Sequence, residues 1–284
     1  MNSLCYRFQH IHNEVGLLDG CIDATYIIHL EGNGRYEHIQ NQLSNYQPSK
    51  DVYILYNRGF KKCHKTLPEQ MSTHDLIDAF LHIFEHAKQN DFNHILVLED
   101  DFIFHEKIKE IDLCKNIVGF VSEKKTGSFM YSLGCLPFVR VPSFNNHNRI
   151  LLSAGTHACI YSKKMREHAL NKNRDEIIDW DIYTNTQPHL FSRYGYYRPL
   201  CNQLHIDTEN SDNWWNPLGL ADFVKKIKKL FKMDSQLEPG NRFFYMFSLF
   251  IFWFLFLIII LCFVVFVFEP LSTSISFPNK RKSR

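Results

Sequence analysis

Ile95-Leu96-Val97-Leu98-Glu99-Asp100-Asp101 decides the fold: four apolar residues that read as a buried strand stop abruptly at three consecutive carboxylates. A parallel sheet ends its strands at the rim where ligands bind, and acids gathered there are costly unless a cation sits among them. A divalent metal holding a diphosphate is the usual occupant of such a corner. An acidic, solvated turn after a strand looks the same locally, so the setting in the chain has to separate the two.

Working outward, the strand follows a helix expected from about His74 to Gln89. Ser72 or Thr73 is available as its cap, and Leu76, Ile77, Phe80, Leu81, Phe84 and Ala87 form a buried stripe. Upstream, Thr25–Leu30 reads as a strand, Gly32-Asn33-Gly34 as a turn, the chain from Arg35 as a helix and Val52–Tyr56 as a second strand. Strand, glycine turn, helix, strand opens a parallel α/β unit. Downstream, strands are expected at Phe129–Leu133 and His157–Tyr161, then helices from Lys163 and over Asp175–Thr186, with Pro137–Asn148 as a long loop.

The span Phe243–Phe268 is 26 residues without a charge and holds ten of the chain's 25 Phe. A helix of that length measures about 39 Å, more than the ~30 Å of a bilayer core, and it lacks the polar face of a soluble helix. We read it as a transmembrane helix. Residues 222–284 carry ten Lys/Arg against four Asp/Glu, +6 of a whole-chain +2, which leaves −4 for residues 1–221. The basic charge therefore belongs to the membrane end, and nucleic acid is not the partner of the main domain. Phe223–Phe231 places apolar residues at i, i+1, i+4, i+7 and i+8 opposite lysines, a pattern suited to lying on an anionic leaflet.

The expected organisation is a domain over 1–221, a basic juxtamembrane segment over 222–242, the span 243–268 and a short basic tail over 269–284. The N-terminal region has no apolar run of the signal-peptide kind. This layout predicts a C-terminal anchor with the domain in the cytosol, and the lysines before the span agree with that side. The eight cysteines have no C-x-x-C pair or compact framework, which fits reduced thiols.

Three constellations carry chemistry. Glu99 and Asp101 alternate along the strand end and so face the same side, where they offer oxygens to Mn²⁺ or Mg²⁺, while Asp100 faces away. Asp179-Trp180-Asp181 offers a carboxylate to take a proton from an acceptor hydroxyl; acids complementing a helix N-terminus give the same spacing. His205-Ile206-Asp207-Thr208-Glu209-Asn210-Ser211 is a polar loop from which His205 could supply a further ligand. Arg35 is placed to meet a phosphate, and His157 sits at the end of an element, where histidines are more often structural.

The order of these pieces resembles a known family. Tyr26-Ile27-Ile28-His29-Leu30 with Arg35 is similar to its V-I-N-L-x-x-x-x-x-R opening, and Thr73-His74 followed by Ala79-Phe80 to its S-H-x-x-A-W helix start. Leu96–Asp101 resembles its V-L-E-D-D signature. Tyr131–Gly134 and Gly155-Thr156-His157-Ala158 resemble its Y-L-G and G-T-H-A-Y segments. This is the family 25 glycosyltransferase group, which includes lipooligosaccharide and collagen galactosyltransferases. The likeness runs in order from about Thr25 to Trp214, and the Thr208–Trp214 ending is similar to versions in large DNA viruses. Departures are His29 for Asn, Thr73 for Ser, and Cys159 where an aromatic is common.

The resemblance implies a GT-A fold, that is, a Rossmann-type mixed sheet flanked by helices. It also implies a UDP-galactose or UDP-glucose donor, Mn²⁺ or Mg²⁺, and inverting transfer to a glycan or protein hydroxyl. It would place Glu99, Asp101 and His205 on the metal, Arg35, Asp100 and His157 on the donor side, and Asp179 or Asp181 as base. The setting would be a host endomembrane or a virion membrane. The competing expectation is a degenerate transferase domain kept as a membrane-tethered structural module.

Overall fold

Seven strands form one mixed sheet in the spatial order β1-β3-β2-β4-β7-β6-β8. In chain order the strands are β1 (Tyr6–His12), β2 (Ala24–Leu30), β3 (Asp51–Asn57), β4 (His94–Glu99), β5 (Phe102–Phe104), β6 (Phe129–Val141), β7 (His147–Ser162), β8 (Ser192–Tyr196) and β9 (Cys201–Gln203). The helices are α1 (Tyr36–Tyr46), α2 (Ser72–Gln89), α3 (Ile111–Glu123), α4 (Lys163–Asn171), α5 (Trp180–Thr186) and α6 (Gly240–Ser272). The computed structural model describes residues 3–124, 126–203, 226, 229–233 and 238–272.

β2 pairs in parallel with β3 on one side and β4 on the other, and these strands read as apolar runs because helices cover both faces. Alternation along the strands sorts the core in two. Ile27, Leu96 and Leu98 pack with Ile39 and Leu43 of α1 and Ile117 and Val121 of α3. Tyr26, Ile28 and Val97 pack on the opposite face with Ile77, Phe80 and Phe84 of α2, Met165 of α4 and Trp180 of α5. The sheet is GT-A-like, and α6 is long and apolar enough to cross a membrane.

Several elements differ from expectation. β1, not β2, is the first strand; it lies antiparallel on the edge of β3. α2 begins at Ser72, and neither Ser72 nor Thr73 caps it: the cap position is Met71, whose carbonyl accepts from Asp75 N–H. Most of the supposed loop Pro137–Asn148 is ladder, with only residues 142–146 outside the strands. Pro137 is accommodated because the β6–β7 register shifts four times between Ser132 and Arg140. Cys5 and Cys63 are joined in a disulfide across 58 residues, which no local spacing announces. The juxtamembrane stripe Phe223–Phe231, apart from Lys226 and residues 229–231, lies outside the described residues, as does the Thr208–Trp214 ending.

The far half of the β6–β7 hairpin holds the first turns of α6. Asn241, Phe244, Tyr245 and Ser248 of that helix are buried, one face at helical spacing. Arg140, almost wholly buried, donates from Nε to Ser248 Oγ at 2.8 Å, from Nη2 to the Tyr245 carbonyl and from Nη1 to the Tyr197 carbonyl at 3.2 Å. Leu136 packs with Phe244 and Met233. The apolar surface of α6 from Trp253 to Phe266 stands exposed.

Candidate functional site

Glu99 is the last residue of β4, paired with Ile28 of β2 at the C-terminal rim of the parallel strands. The chain turns through Asp100 and Asp101 into β5, which leaves the main sheet to pair with β9. This break puts three acids at a corner.

Asp100 is saturated. Its Oδ2 accepts from Leu30 N–H at 3.0 Å and Asn33 Nδ2 at 2.6 Å and lies 3.2 Å from His29 Nδ1; its Oδ1 accepts from Arg35 Nη1 at 2.7 Å. Four partners fill the acceptor capacity of a carboxylate. Burial alone would raise its pKa, but the His29 hydrogen bond, the Arg35 charge and Asn33 together hold it below the usual carboxylate range. Asp100 thus clamps the turn after β2, where Gly32 and Gly34 take positive φ.

Asp101 is also buried. Its Oδ2 lies 3.4 Å from Arg35 Nη1, while its Oδ1 has no hydrogen-bond partner. Burial pushes its carboxyl up to about 6 even with the Arg35 charge opposing. Glu99 is raised well above its ordinary value, by burial first and then by Asp101, Asp181 and Asp100. The acids therefore share one electrostatic space in which their charges repel.

The pair on α5 separates cleanly. Asp179 is the helix cap: its Oδ1 accepts from Ile182 N–H at 2.9 Å. Asp181 turns to the sheet, where its Oδ2 accepts from Gly155 N–H at 2.9 Å, and burial pushes it up to about 6 against that bond. Gly155 has φ +83°, which a side chain would strain. The His157 ring is buried between two glycines: a Cβ at Gly134 would come 2.9 Å from its Nε2 and one at Gly155 3.2 Å from its Nδ1. Gly134 is also forced by β9, since its Cβ would fall 1.7 Å from the Cys201 carbonyl oxygen.

Sequence reasoning gave no site role to His29, Asn33, Gln203 or Arg193. Asn33 was visible inside Gly-Asn-Gly; Gln203, which bonds Asp101, carried no local signal. Arg193 reaches Asn185 and Ser153 behind Asp181. His205 lies outside the described residues.

Asp101 Oδ1 is a buried acceptor without a hydrogen-bond partner, near enough to Glu99 for the two carboxyls to repel. Two carboxylates completed by substrate phosphates are an ordinary way to hold Mg²⁺ or Mn²⁺, so the residues fit such an ion.

Among the described residues, the group of three whose ligand atoms already lie close enough together to hold a metal is a different one. His10 Nε2 and His12 Nδ1 lie 2.7 and 3.0 Å from Asp51 Oδ1 on the exposed β1–β3 edge, with ligand atoms all within 4.8 Å of one another. Asp51 begins β3 whereas Glu99 ends β4; by register the cluster lies four residues back along the strands and two strands across from Glu99, about 16 Å away.

No protein-family model matches the chain, and no curated protein matches it. Among solved structures it is similar to A197 from STIV, at 15% identity over 66% of this chain and 86% of that one, TM-score 0.38. It is also similar to a glycosyltransferase involved in the glycosylation of the major capsid of PBCV-1, at 10% identity over 65% and 94%, TM-score 0.39. A third is apo UDP-glucose pyrophosphorylase, at 11% identity over 61% and 72%, TM-score 0.33.

Proposed function

We propose that the chain is a membrane-anchored glycosyltransferase, akin to family 25, that moves a hexose from a UDP-sugar to a hydroxyl acceptor with inversion. The observation that carries this reading is the buried, unpartnered Asp101 Oδ1 beside Glu99, a carboxyl whose charge is also opposed by Asp181. Glu99 and Asp101 would hold Mn²⁺ or Mg²⁺, which when bound neutralises charge on the departing diphosphate. Asp100 and Asn33 fix the turn that carries Arg35, and Arg35 faces the donor phosphates. Asp181 takes the acceptor proton; a carboxyl titrating near 6 is poised for that transfer at neutral pH. Asp179 serves as the cap, and His157 shapes the floor between Gly134 and Gly155. The catalytic unit is assigned to residues 1–221 and the anchor to α6.

The test is UDP release from a panel of UDP-sugars by the full chain in detergent with Mn²⁺, beside Asp101→Asn. Metal-dependent release lost in the variant supports the reading; no release and no UDP binding overturn it.

A second reading has its own support. Arg35 already neutralises Asp100 and leans on Asp101, standing where a cation would act. That fits a degenerate, membrane-tethered structural module, marked by binding without turnover.

A further inference from the structure

The edge strand β1 brings three metal-ligating side chains together. Its seven residues pair antiparallel with β3, from Tyr6 opposite Asn57 to His12 opposite Asp51, so the ladder itself fixes where each side chain starts. Alternate residues of a strand share a face, which puts His10 and His12 on one side of β1, with Asp51 directly across from His12. Both rings converge on one oxygen: Asp51 Oδ1 lies 2.7 Å from His10 Nε2 and 3.0 Å from His12 Nδ1. The His10 ring is held there by stacking on Tyr53, with centroids 4.5 Å apart and planes 12° from parallel. Strands and a ring stack position the group, which is more exact than a loop.

An ion pair needs one histidine for one carboxylate. Two imidazole nitrogens and a carboxylate oxygen, all within 4.8 Å of one another, supply three ligands for a metal. A tetrahedral ion with bonds of about 2.0–2.2 Å sets its ligand atoms about 3.3 Å apart. Both histidines are exposed, so small rotations of their side chains close the set with no demand on the core. The ligand chemistry selects the ion. Imidazole nitrogen suits Zn²⁺, whereas Mg²⁺ and Mn²⁺ prefer oxygen, so this group and the carboxylates Glu99 and Asp101 favour different metals.

The location gives the ion a task. Among the described residues, β1 has β3 as its one neighbour in the sheet, and strand ends of that kind are the first to fray. At the start of β1, Cys5 is bonded to Cys63 just before Tyr6. At the other end, His12 and Asp51 form the last pair of the ladder. A metal held there fastens the end that the disulfide leaves open. We propose that His10, His12 and Asp51 form a Zn²⁺ site, with water as the fourth ligand, that fixes the far end of β1 on β3. This stands independently of the transferase reading.

The test uses the full chain in detergent, stripped of metal with EDTA and dialysed. Zn²⁺ is titrated in competition with a chromophoric chelator, and histidine modification by diethyl pyrocarbonate is read by mass spectrometry with and without Zn²⁺. Expected are one Zn²⁺ per chain and protection of His10 and His12, with exposed His189 modified equally in both conditions. His10→Gln and His12→Gln are each expected to weaken binding at least about tenfold, the low side of what losing even a ligand's outer partner costs. Asp101→Asn should leave Zn²⁺ binding unchanged. Hydrogen exchange at the end of β1 should slow on adding Zn²⁺ in the wild-type chain and not in the two histidine variants. No bound Zn²⁺, binding indifferent to both histidine variants, unprotected His10 and His12, or unslowed exchange overturns the proposal. One Zn²⁺ per two chains overturns it too, since the fourth ligand then comes from a second copy and not from water. The protection experiment needs no variant, so a substitution that fails to fold does not blunt the test.

Discussion

Arg35 Nη1 lies 2.7 Å from Asp100 Oδ1 and 3.4 Å from Asp101 Oδ2, so one guanidinium at the start of α1 balances two acids on the rim of β4. Removing it would strand buried charge. Arg35→Ala is expected to cost about 2–4 kcal/mol, near the range for breaking a buried pair, and added Mn²⁺ should recover part of the loss. Urea denaturation with and without Mn²⁺ checks this; an unchanged midpoint in both conditions would show that the pair contributes nothing.

Asp179 and Asp181 are expected to fail differently. Asp179→Ala removes a cap and should cost roughly 1 kcal/mol of stability while keeping most of the sugar transfer. Asp181→Asn should lose about 10²- to 10⁴-fold in transfer rate with stability kept or raised, because a buried acid becomes a neutral amide. Paired rates and melting curves distinguish them, and the reverse pattern would move the base to Asp179.

The pH dependence has a definite sign. Asp101 and Asp181 titrate near 6 in the folded chain against 3.8 ordinarily, so the folded state holds protons that the unfolded state releases. Metal-free stability should therefore fall as pH rises from about 4 to 6, by on the order of 2 kcal/mol per group. Asp100, shifted the other way, works against this slope. Asp101→Asn should flatten the slope, and Mn²⁺ should raise the melting temperature more at pH 7.5 than at pH 5. A wild-type slope of the opposite sign would refute the assignment.

The Cys5–Cys63 bond ties β1 to the segment after β3, where buried Lys65 donates to Tyr6, Asn57 and Asp75. Replacing both cysteines with Ser is expected to cost about 2–4 kcal/mol. Disulfides persist in oxidising compartments and are rare in the cytosol, so this bond stands against the cytosolic side read from charge. Acid-trapping of intact cells followed by maleimide labelling should find the pair oxidised; free thiols there would restore the cytosolic placement.

What the sequence made legible follows from burial. β2 and β4 are covered on both faces and so read as apolar runs, and α2 shows its stripe plainly. β1 is an edge strand with polar side chains facing outward, which leaves no run to notice. α3 buries Leu113, Ile117 and Val121, four apart, but Ile111, Val118 and Phe120 spread apolar residues around the helix, so no single stripe stands out. The hairpin was hidden by Pro137, Pro142 and the Asn145-Asn146 pair, since its irregular ladder tolerates residues that usually end strands. At the site, the acidic corner was readable, but the division of labour was not. Whether Asp179 or Asp181 caps the helix depends on where the backbone turns helical, and the saturation of Asp100 depends on a loop seventy residues away.

Arg140 also makes domain and anchor a single lever. A helix accommodates a bilayer thinner than its apolar length by tilting, at a cost of fractions of a kcal/mol per Å. Because the first turns of α6 are locked to the hairpin, that tilt cannot be absorbed at a joint there and must swing the acidic rim toward or away from the lipid headgroups. Membrane thickness thereby becomes a setting of the site's height.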